Sequence, residues 1–253
     1  MKFFIITGAS KGIGEAMARK LLKKDHSIFS ISRTCNKALM QLAKDTQASF
    51  YDYSFDLTNL HKIDSLFDEM FEIICKDPAI ESIYFINNAG ILAPVAPIEA
   101  TQTKDIVKNV HTNLLAPIVC TSAFIRRTND LRLDKRIMNI SSGTAKHLLP
   151  SMSCYGTSKA GLDAFTKSVA LEQATNVFPI KVVSVYPGMI DTEMQAEIRD
   201  TKKVDFPYVD LFKELSSEGK LQSADFTAER LLDLLMSDTF GKEVVVENLI
   251  PAL

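Results

Sequence analysis

Cysteine is scarce in this chain, charge of one sign never accumulates, and no apolar run is long. Each absence excludes something. The four cysteines, Cys35, Cys75, Cys120 and Cys154, lie dozens of residues apart, which is not the spacing of a metal site. Reduced thiols in a cytoplasmic protein are the expectation, with Cys154 a small packing residue. Basic residues number 29 against 31 acidic ones, for a net charge of −2. No block of like charge stands out, so neither nucleic acid nor an anionic membrane is an expected partner. No apolar stretch approaches the ~20 residues that cross a bilayer. The opening Phe3-Phe4-Ile5-Ile6 is too short for a signal peptide and runs straight into glycine-bearing sequence. Repeats, low-complexity tracts and linkers are missing as well. At 253 residues the chain can bury a substantial core.

What is present centres on Met138 to Gly161, and within it on Tyr155 and Lys159. Four residues apart on a helix is one turn on one face, which sets an ammonium beside a phenol. A free tyrosine titrates near ~10, too high for acid–base work at neutrality, and a neighbouring cation favours the phenolate. The pair therefore reads as a proton donor with its tuner. Tyr and Lys at this spacing also occur by chance. Ser142 strengthens the functional reading, because it follows the apolar run Arg136 to Ile140, a buried-strand pattern. In an open α/β sheet, ligands bind beyond the carboxyl ends of the strands, where a hydroxyl can bond the oxygen that Tyr155 protonates.

The amino-terminal part reads as a dinucleotide site. Strand Lys2 to Ile6 leads into Thr7-Gly8-Ala9-Ser10-Lys11-Gly12-Ile13-Gly14 and a helix from Glu15 to Lys24. Glycines 8, 12 and 14 permit a tight turn and close approach of backbone to a pyrophosphate at the helix start. A second strand, Ser27 to Ser32, ends without the carboxylate that would bind a ribose 2′-hydroxyl and ends instead on Arg33-Thr34. Arg33, with Lys11 in the glycine loop, would attract a 2′-phosphate, so NADP(H) is the expected cofactor over NAD. The bland alternative is a pair of solvated surface cations.

Further along, a helix from Asn36 to Asp45 precedes a third strand from Ala48 to Phe55, closing on Asp56-Leu57. Asp56 could accept from the adenine amino group and equally, with Thr58 and Asn59, cap the next helix, Leu60 to Cys75, the two roles being compatible. The fourth strand, Ile80 to Ile86, ends in Asn87-Asn88-Ala89-Gly90, small and amide residues suited to ribose and nicotinamide against the main chain. A long helix, about Thr103 to Arg127, is expected to be interrupted or kinked near Pro117. It carries Asn113, either an outward polar residue or an amide that opens the helix and holds water near Lys159. His111 reads as structural and His147 as a rim or surface residue. After the helix from Thr157 to Gln173 comes a strand from Ile180 to Tyr186, then Pro187-Gly188-Met189-Ile190-Asp191-Thr192. There a backbone amide could fix the nicotinamide carboxamide, and Thr192 a phosphate. Residues 193 to 221, with Phe206, Pro207, Tyr208, Leu211 and Phe212, suit either a lid over an apolar pocket or a surface helix pair. Thr227 to Met236 reads as the last helix and Glu243 to Glu247 as the last strand. Strand and helix alternate throughout, which implies a parallel sheet covered on both faces.

Together, Thr7-Gly8-x3-Gly12-x-Gly14, Asn87-Asn88-Ala89-Gly90, Asn113, Ser142, Tyr155-x3-Lys159 and Pro187-Gly188 resemble the short-chain dehydrogenase/reductase family over essentially the whole chain. Asn113 to Pro117 and Asp191 to Gln195 resemble, within that family, bacterial benzil reductases and sepiapterin reductases. The resemblance implies one Rossmann-type domain over residues 1–253, a cofactor half to about 135 and a catalytic half beyond it. Its sheet would have seven strands in the order 3-2-1-4-5-6-7, as in that family. The resemblance also implies a cytoplasmic homo-oligomer, a dimer or tetramer, that transfers hydride from NADPH to a carbonyl substrate. In that scheme Tyr155 protonates the alkoxide and Ser142 stabilises it. Lys159 lowers the tyrosine pKa and binds nicotinamide ribose hydroxyls, while Asn113 supports a water relay. Cofactor contacts are expected from Gly8, Ser10, Lys11, Gly12, Ile13, Gly14, Arg33, Thr34, Asp56, Leu57, Asn87, Asn88, Ala89, Gly90, Pro187, Gly188, Ile190 and Thr192 besides Tyr155 and Lys159.

One departure bears on substrate. Sepiapterin reductases hold the pterin on an acidic residue near the C-terminus, where the best register here places Asn248. Strand alternation would turn Glu247 to the other face. Leu148, Leu149, Pro150 and Met152 suggest an apolar wall for hydrophobic or aromatic ketones. The expected activity is thus reduction of a small hydrophobic ketone or diketone. The alternatives are a pterin reductase and a regulator that binds NADP(H) without turnover.

Overall fold

Alternate residues of the first strand, β1 (Lys2–Thr7), point into two different cores. Phe4 and Ile6 pack on one face of the sheet, Phe3 and Ile5 on the other. An apolar run without polar alternation is what a strand buried on both faces requires. The structure, a computed structural model, describes residues 1–249. Its elements follow in the order α1 (Gly12–Leu21), β2 (His26–Ser32), α2 (Lys37–Thr46), β3 (Ser49–Ser54), α3 (Ile63–Ile74) and β4 (Ser82–Asn87). Then come α4 (Thr103–Val110), α5 (Ala116–Thr128), β5 (Asp134–Ile140), α6 (Ser153–Gln173) and β6 (Lys181–Val185). The last are α7 (Glu193–Asp200), α8 (Val209–Ser217), α9 (Ala224–Met236) and β7 (Val245–Val246).

The strands form one parallel sheet of seven in the order β3-β2-β1-β4-β5-β6-β7, as the family resemblance implies. One face is covered by apolar side chains of α1, α2 and α9, including Met17, Leu39 and Leu231. The other is covered by α3, α5 and part of α6, through Phe67, Phe124 and Val169. Strand order reverses between β1 and β4, which opens a crevice beyond their carboxyl ends. A third apolar cluster, Leu92, Met152, Tyr155, Ile198, Phe206 and Val209, lies apart from the sheet, and its first four members line that crevice.

Two local expectations are revised, the first helix start and the last strand, and two are made more definite. The first helix begins at Gly12, not Glu15, so the glycines at 12 and 14 lie in its first turn. The long helix breaks before Pro117, in a π-helical turn over His111–Leu115; Pro117 itself sits in the first turn of α5, where a missing N–H is tolerated. Residues 193 to 221 contain the helix pair α7 and α8, anchored by fully buried Phe206 and by Val209. The last strand is two residues long, so the alternation argument for Glu247 has no strand to act along.

Candidate active site

The glycine loop is shaped by contacts a side chain would block. Gly8 and Gly12 take positive φ of 71° and 60°, where L-residues are strained. A Cβ on Gly14 would lie 2.2 Å from the Gly8 carbonyl oxygen. The Asn88 side chain clamps the same turn, its Nδ2 donating to the carbonyls of Thr7 at 2.9 Å and Gly8 at 3.2 Å. Thr7 Oγ1 accepts from the backbone N–H groups of Asn88 and Ala89, each at 3.0 Å. The ends of β1 and β4 are thus fixed to each other, leaving a backbone cradle at the start of α1 where a pyrophosphate fits. Thr192 faces this cradle, its methyl 3.8 Å from where a Cβ on Gly12 would stand.

Beside the cradle lies a cleft of about 1240 Å³. Of the residues expected to bind cofactor, Gly8, Ser10, Lys11, Gly12, Ile13, Arg33, Thr34, Asp56, Leu57, Asn88, Ala89, Gly90, Tyr155, Lys159, Pro187, Gly188, Ile190 and Thr192 line it, and so does Ser142. Three named residues do not. Gly14 is pressed under the loop against Gly8 and Asn88. Asn87 turns into the sheet, donating to Asn139 Oδ1 at 2.9 Å and Thr121 Oγ1 at 3.1 Å. Asn113 is fully buried behind Gly90. His111, which the sequence reads as structural, does line the cleft, as does exposed His147. Glu247 and Asn248 both line it too, and Glu247 is held by Lys146 at 2.6 Å.

Tyr155, Lys159 and Ser142 meet at the cleft floor. Helix α6 starts at Ser153, so Tyr155 and Lys159 fall on one face, with the ammonium 5.7 Å from the phenol ring centroid. Lys159 Nζ donates to the Ile140 carbonyl at the end of β5, at 2.7 Å. Ser142 Oγ accepts from Thr144 through its backbone N–H at 3.2 Å and its hydroxyl at 2.9 Å. With its lone pairs so engaged, Ser142 has its own hydrogen left to donate. The Tyr155 hydroxyl lies beside the Ser142 hydroxyl and 4.0 Å from the Met194 thioether sulfur.

The electrostatics amend the expected tuning. Burial pushes the Tyr155 phenol up from 10.0, and the Ser142 hydroxyl beside it works the other way. The Lys159 ammonium donates to the Ile140 carbonyl and lies 5.7 Å from the centre of the phenol ring. Burial brings Lys159 itself down from 10.5 to about 8, opposed by the charge of Asp163. Asp163 lies one further turn along α6, 7% exposed, and accepts from Ser184 Oγ at 2.5 Å and Tyr186 Oη at 2.7 Å. Two hydroxyl donors on its two oxygens are the partners an ionised carboxylate needs.

The π turn explains Asn113. It swings the amide onto the Ile91 main chain, accepting from its N–H at 2.8 Å and donating to its carbonyl at 2.7 Å. The second amide hydrogen goes to Asn109 Oδ1 at 3.0 Å. Asn109 in turn accepts from Ser158 Oγ at 3.1 Å and donates to the carbonyl of Ala93 at 2.8 Å. The side chain of Asn113 therefore braces the loop after β4 against α6, leaving one lone pair on Oδ1, which faces Gly90 opposite Lys159 Nζ. Asn109 and Asp163 were missed in the sequence, yet each stands four residues from a named site residue, on the same helical face.

At the far end of the cleft, Arg33 lines the wall with Lys104 and Lys108. Lys11 is ion-paired with Glu193, both largely exposed. Such a pair contributes about 0–1 kcal/mol, so a phosphate could take Lys11 from it. Asp56 accepts from the Thr58 backbone N–H at 2.9 Å and hydroxyl at 2.8 Å, and these contacts hold its carboxyl below the usual range. These bonds close a local turn over Asp56 to Thr58 rather than cap the next helix, and Asp56 still lines the cleft.

A seven-stranded parallel sheet, a glycine cradle after the first strand, and a buried tyrosine–lysine pair beside a serine define a class of dinucleotide-binding oxidoreductases. The chain belongs to the short chain dehydrogenase family, whose model matches residues 2–203. It is 42% identical over 246 residues to a benzil reductase ((S)-benzoin forming) of Bacillus cereus, covering 97% of this chain and 98% of the relative. It is 37% identical over 239 residues to the enzyme of the same name from Bacillus subtilis, covering 94% and 95%. Its fold is similar to the crystal structure of the KRED1-Pglu enzyme, with a TM-score of 0.82 at 24% identity, covering 97% of this chain and 100% of the other.

Proposed function

We propose that the protein is an NADPH-dependent carbonyl reductase acting on small hydrophobic ketones, above all vicinal diketones. The observation that carries the reading is the Tyr155 phenol set among Leu92, Met152, Ile198 and Phe206, with Ser142 and Lys159 at its sides. The wall is apolar and the groups that can donate a proton or a hydrogen bond converge on one spot, as reduction of a carbonyl demands. The similarity to two proteins named benzil reductase supports a diketone as substrate. Arg33, which makes no ion pair among the described residues, and the exchangeable Lys11 support a 2′-phosphate on the cofactor.

The bound nicotinamide would supply hydride to the carbonyl carbon. Gly8 to Gly14 would hold its pyrophosphate against the start of α1, and Arg33 the 2′-phosphate. Ser142 donates to the carbonyl oxygen, its hydroxyl oriented by Thr144. As negative charge grows on that oxygen, Tyr155 delivers its proton. The raised phenol pKa keeps that proton in place at neutral pH. Lys159 leaves the Ile140 carbonyl to stabilise the resulting phenolate and bond the nicotinamide ribose, and the spare lone pair of Asn113 accepts a water that could resupply protons.

The test is NADPH consumption with diketones, pterins, quinones and ketoacyl thioesters side by side. Turnover led by an aromatic diketone is expected. Tight NADPH binding without turnover of any carbonyl would refute the reading and favour a cofactor-sensing role.

A further inference from the structure

Gln195 is 6% exposed on α7 and lines the cleft. Its Oε1 accepts from Arg199, which Asp191 supports at 3.4 Å. That contact fixes the amide's orientation, because a flipped amide would set two donors against each other. Its Nε2 is buried and has no hydrogen-bond partner among the described residues. A buried donor without an acceptor is costly and uncommon, and its position in a ligand cleft suggests that the acceptor arrives with the ligand.

Its surroundings narrow that ligand. Met194, the preceding residue, rests its sulfur 4.0 Å from the Tyr155 hydroxyl, and Ile198, one turn later, shares the apolar cluster of Tyr155. Gln195 thus borders the substrate end of the cleft. A vicinal diketone brings two oxygens. Ser142 and Tyr155 serve the one being reduced, and the other would be left against an apolar wall. His147, Glu247 and Asn248 also line the cleft, but they are exposed and exchange with water, so they gain little from such an oxygen.

We propose that Gln195 is a specificity-determining residue whose Nε2 donates to the second, unreduced oxygen of a vicinal diketone, reached when substrate displaces the Met194 side chain from Tyr155. The inference rests on the carbonyl-reductase reading above and adds the recognition of a second oxygen. Met194 suits displacement, since an unbranched thioether side chain repacks readily.

The test compares benzil with deoxybenzoin, in which a methylene replaces one carbonyl, in wild-type protein, Gln195→Met and Gln195→Glu. Gln195→Met keeps the volume and removes the donor. It should lower kcat/KM for the diketone by roughly 10- to 100-fold, as loss of one buried hydrogen bond predicts. Deoxybenzoin turnover and the NADPH dissociation constant should stay near wild type. Gln195→Glu keeps the acceptor toward Arg199 but opposes the second oxygen with a carboxylate, so it should show the same selective loss. Equal losses on both ketones, or none on either, would overturn the Gln195 assignment while leaving the reductase reading intact. A weakened NADPH affinity with unchanged ketone selectivity would assign the donor to the cofactor and overturn it too. Wild-type protein inactive on both ketones would overturn the reductase reading and this inference together.

Discussion

Lys159 and Asp163 stand one turn apart on α6, both buried, and the carboxylate of Asp163 is tied by Ser184 and Tyr186 to the strand on which α6 packs. The ammonium is brought down to about 8 by burial, and Asp163 works against that fall. Tyr155 moves the opposite way, above 10.0, so a limb near pH 8 belongs to Lys159. We expect kcat/KM to decline above pH about 8 as Lys159 loses its proton. Asp163→Asn should move that decline to lower pH. Stability follows the other sign. Between about 8 and 10.5 the unfolded chain holds more protons at this lysine, so its contribution to stability rises with pH. A pH–rate series alongside denaturation midpoints separates the two, and an alkaline limb unmoved by Asp163→Asn would refute the coupling.

Tyr155→Phe removes the hydroxyl and keeps the ring among Leu92, Met152 and Ile198. Turnover should fall by about 10²- to 10⁴-fold, the usual contribution of a positioned general acid. NADPH binding, followed by nicotinamide fluorescence, should be preserved. Retained turnover would remove Tyr155 from the mechanism.

Arg33→Asp places a carboxylate where the 2′-phosphate is proposed to sit. Loss of a charge-assisted hydrogen bond corresponds to ~1.5–3 kcal/mol, or roughly 10- to 100-fold. The ratio of kcat/KM for NADPH over NADH should drop by at least that factor. An unchanged ratio would mean that Arg33 is only a solvated cation.

Gly14→Ala and Gly143→Ala form a matched contrast. A methyl at Gly14 meets the Gly8 carbonyl oxygen at 2.2 Å and Asn88 Nδ2 at 2.4 Å, whereas at Gly143 none of the described residues lies within 4 Å. Overpacking of this kind costs about 1–3 kcal/mol or more, and the first variant should also bind NADPH poorly. The second should unfold within ~0.5 kcal/mol of wild type in urea, as open positions do.

Phe206→Ala empties a fully buried site between α7 and α8. The expected cost is about 3–5 kcal/mol in the packing around it. Because Phe206 shares its cluster with Tyr155 and Val209, hydrogen exchange should rise first in α7 and α8, with KM for ketones rising alongside. Uniform loss of protection over the whole sheet would instead show that this cluster is not a separate unit.

Much of this was readable along the chain because its causes are local. Apolar strands such as Phe3 to Ile6 announce burial on two faces, and the spacing of Tyr155 and Lys159 places them on one helical face whatever surrounds it. Glycines at 8 and 12 mark backbone conformations that other residues strain to adopt. The direction of a side chain was not readable in this way. Asn87 and Asn88 are neighbours of identical chemistry, yet one binds inside the sheet and the other clamps the glycine loop. Sequence alone also could not show that Lys11 is shared with Glu193, residues far apart in the chain.

What the order of residues determined by itself is the parallel sheet, its crevice and the kinds of chemical group brought there, since periodicity and spacing act over a few residues at a time. What only the tertiary structure decided is which partner each group faces and how far water is excluded from it. Those two quantities set the ionisation of Tyr155 and Lys159, leave the Gln195 donor buried without a partner among the described residues, and put Met194 against the phenol. Burial and long-range contact arise from the packing of segments distant in sequence, and no window of neighbouring residues contains them.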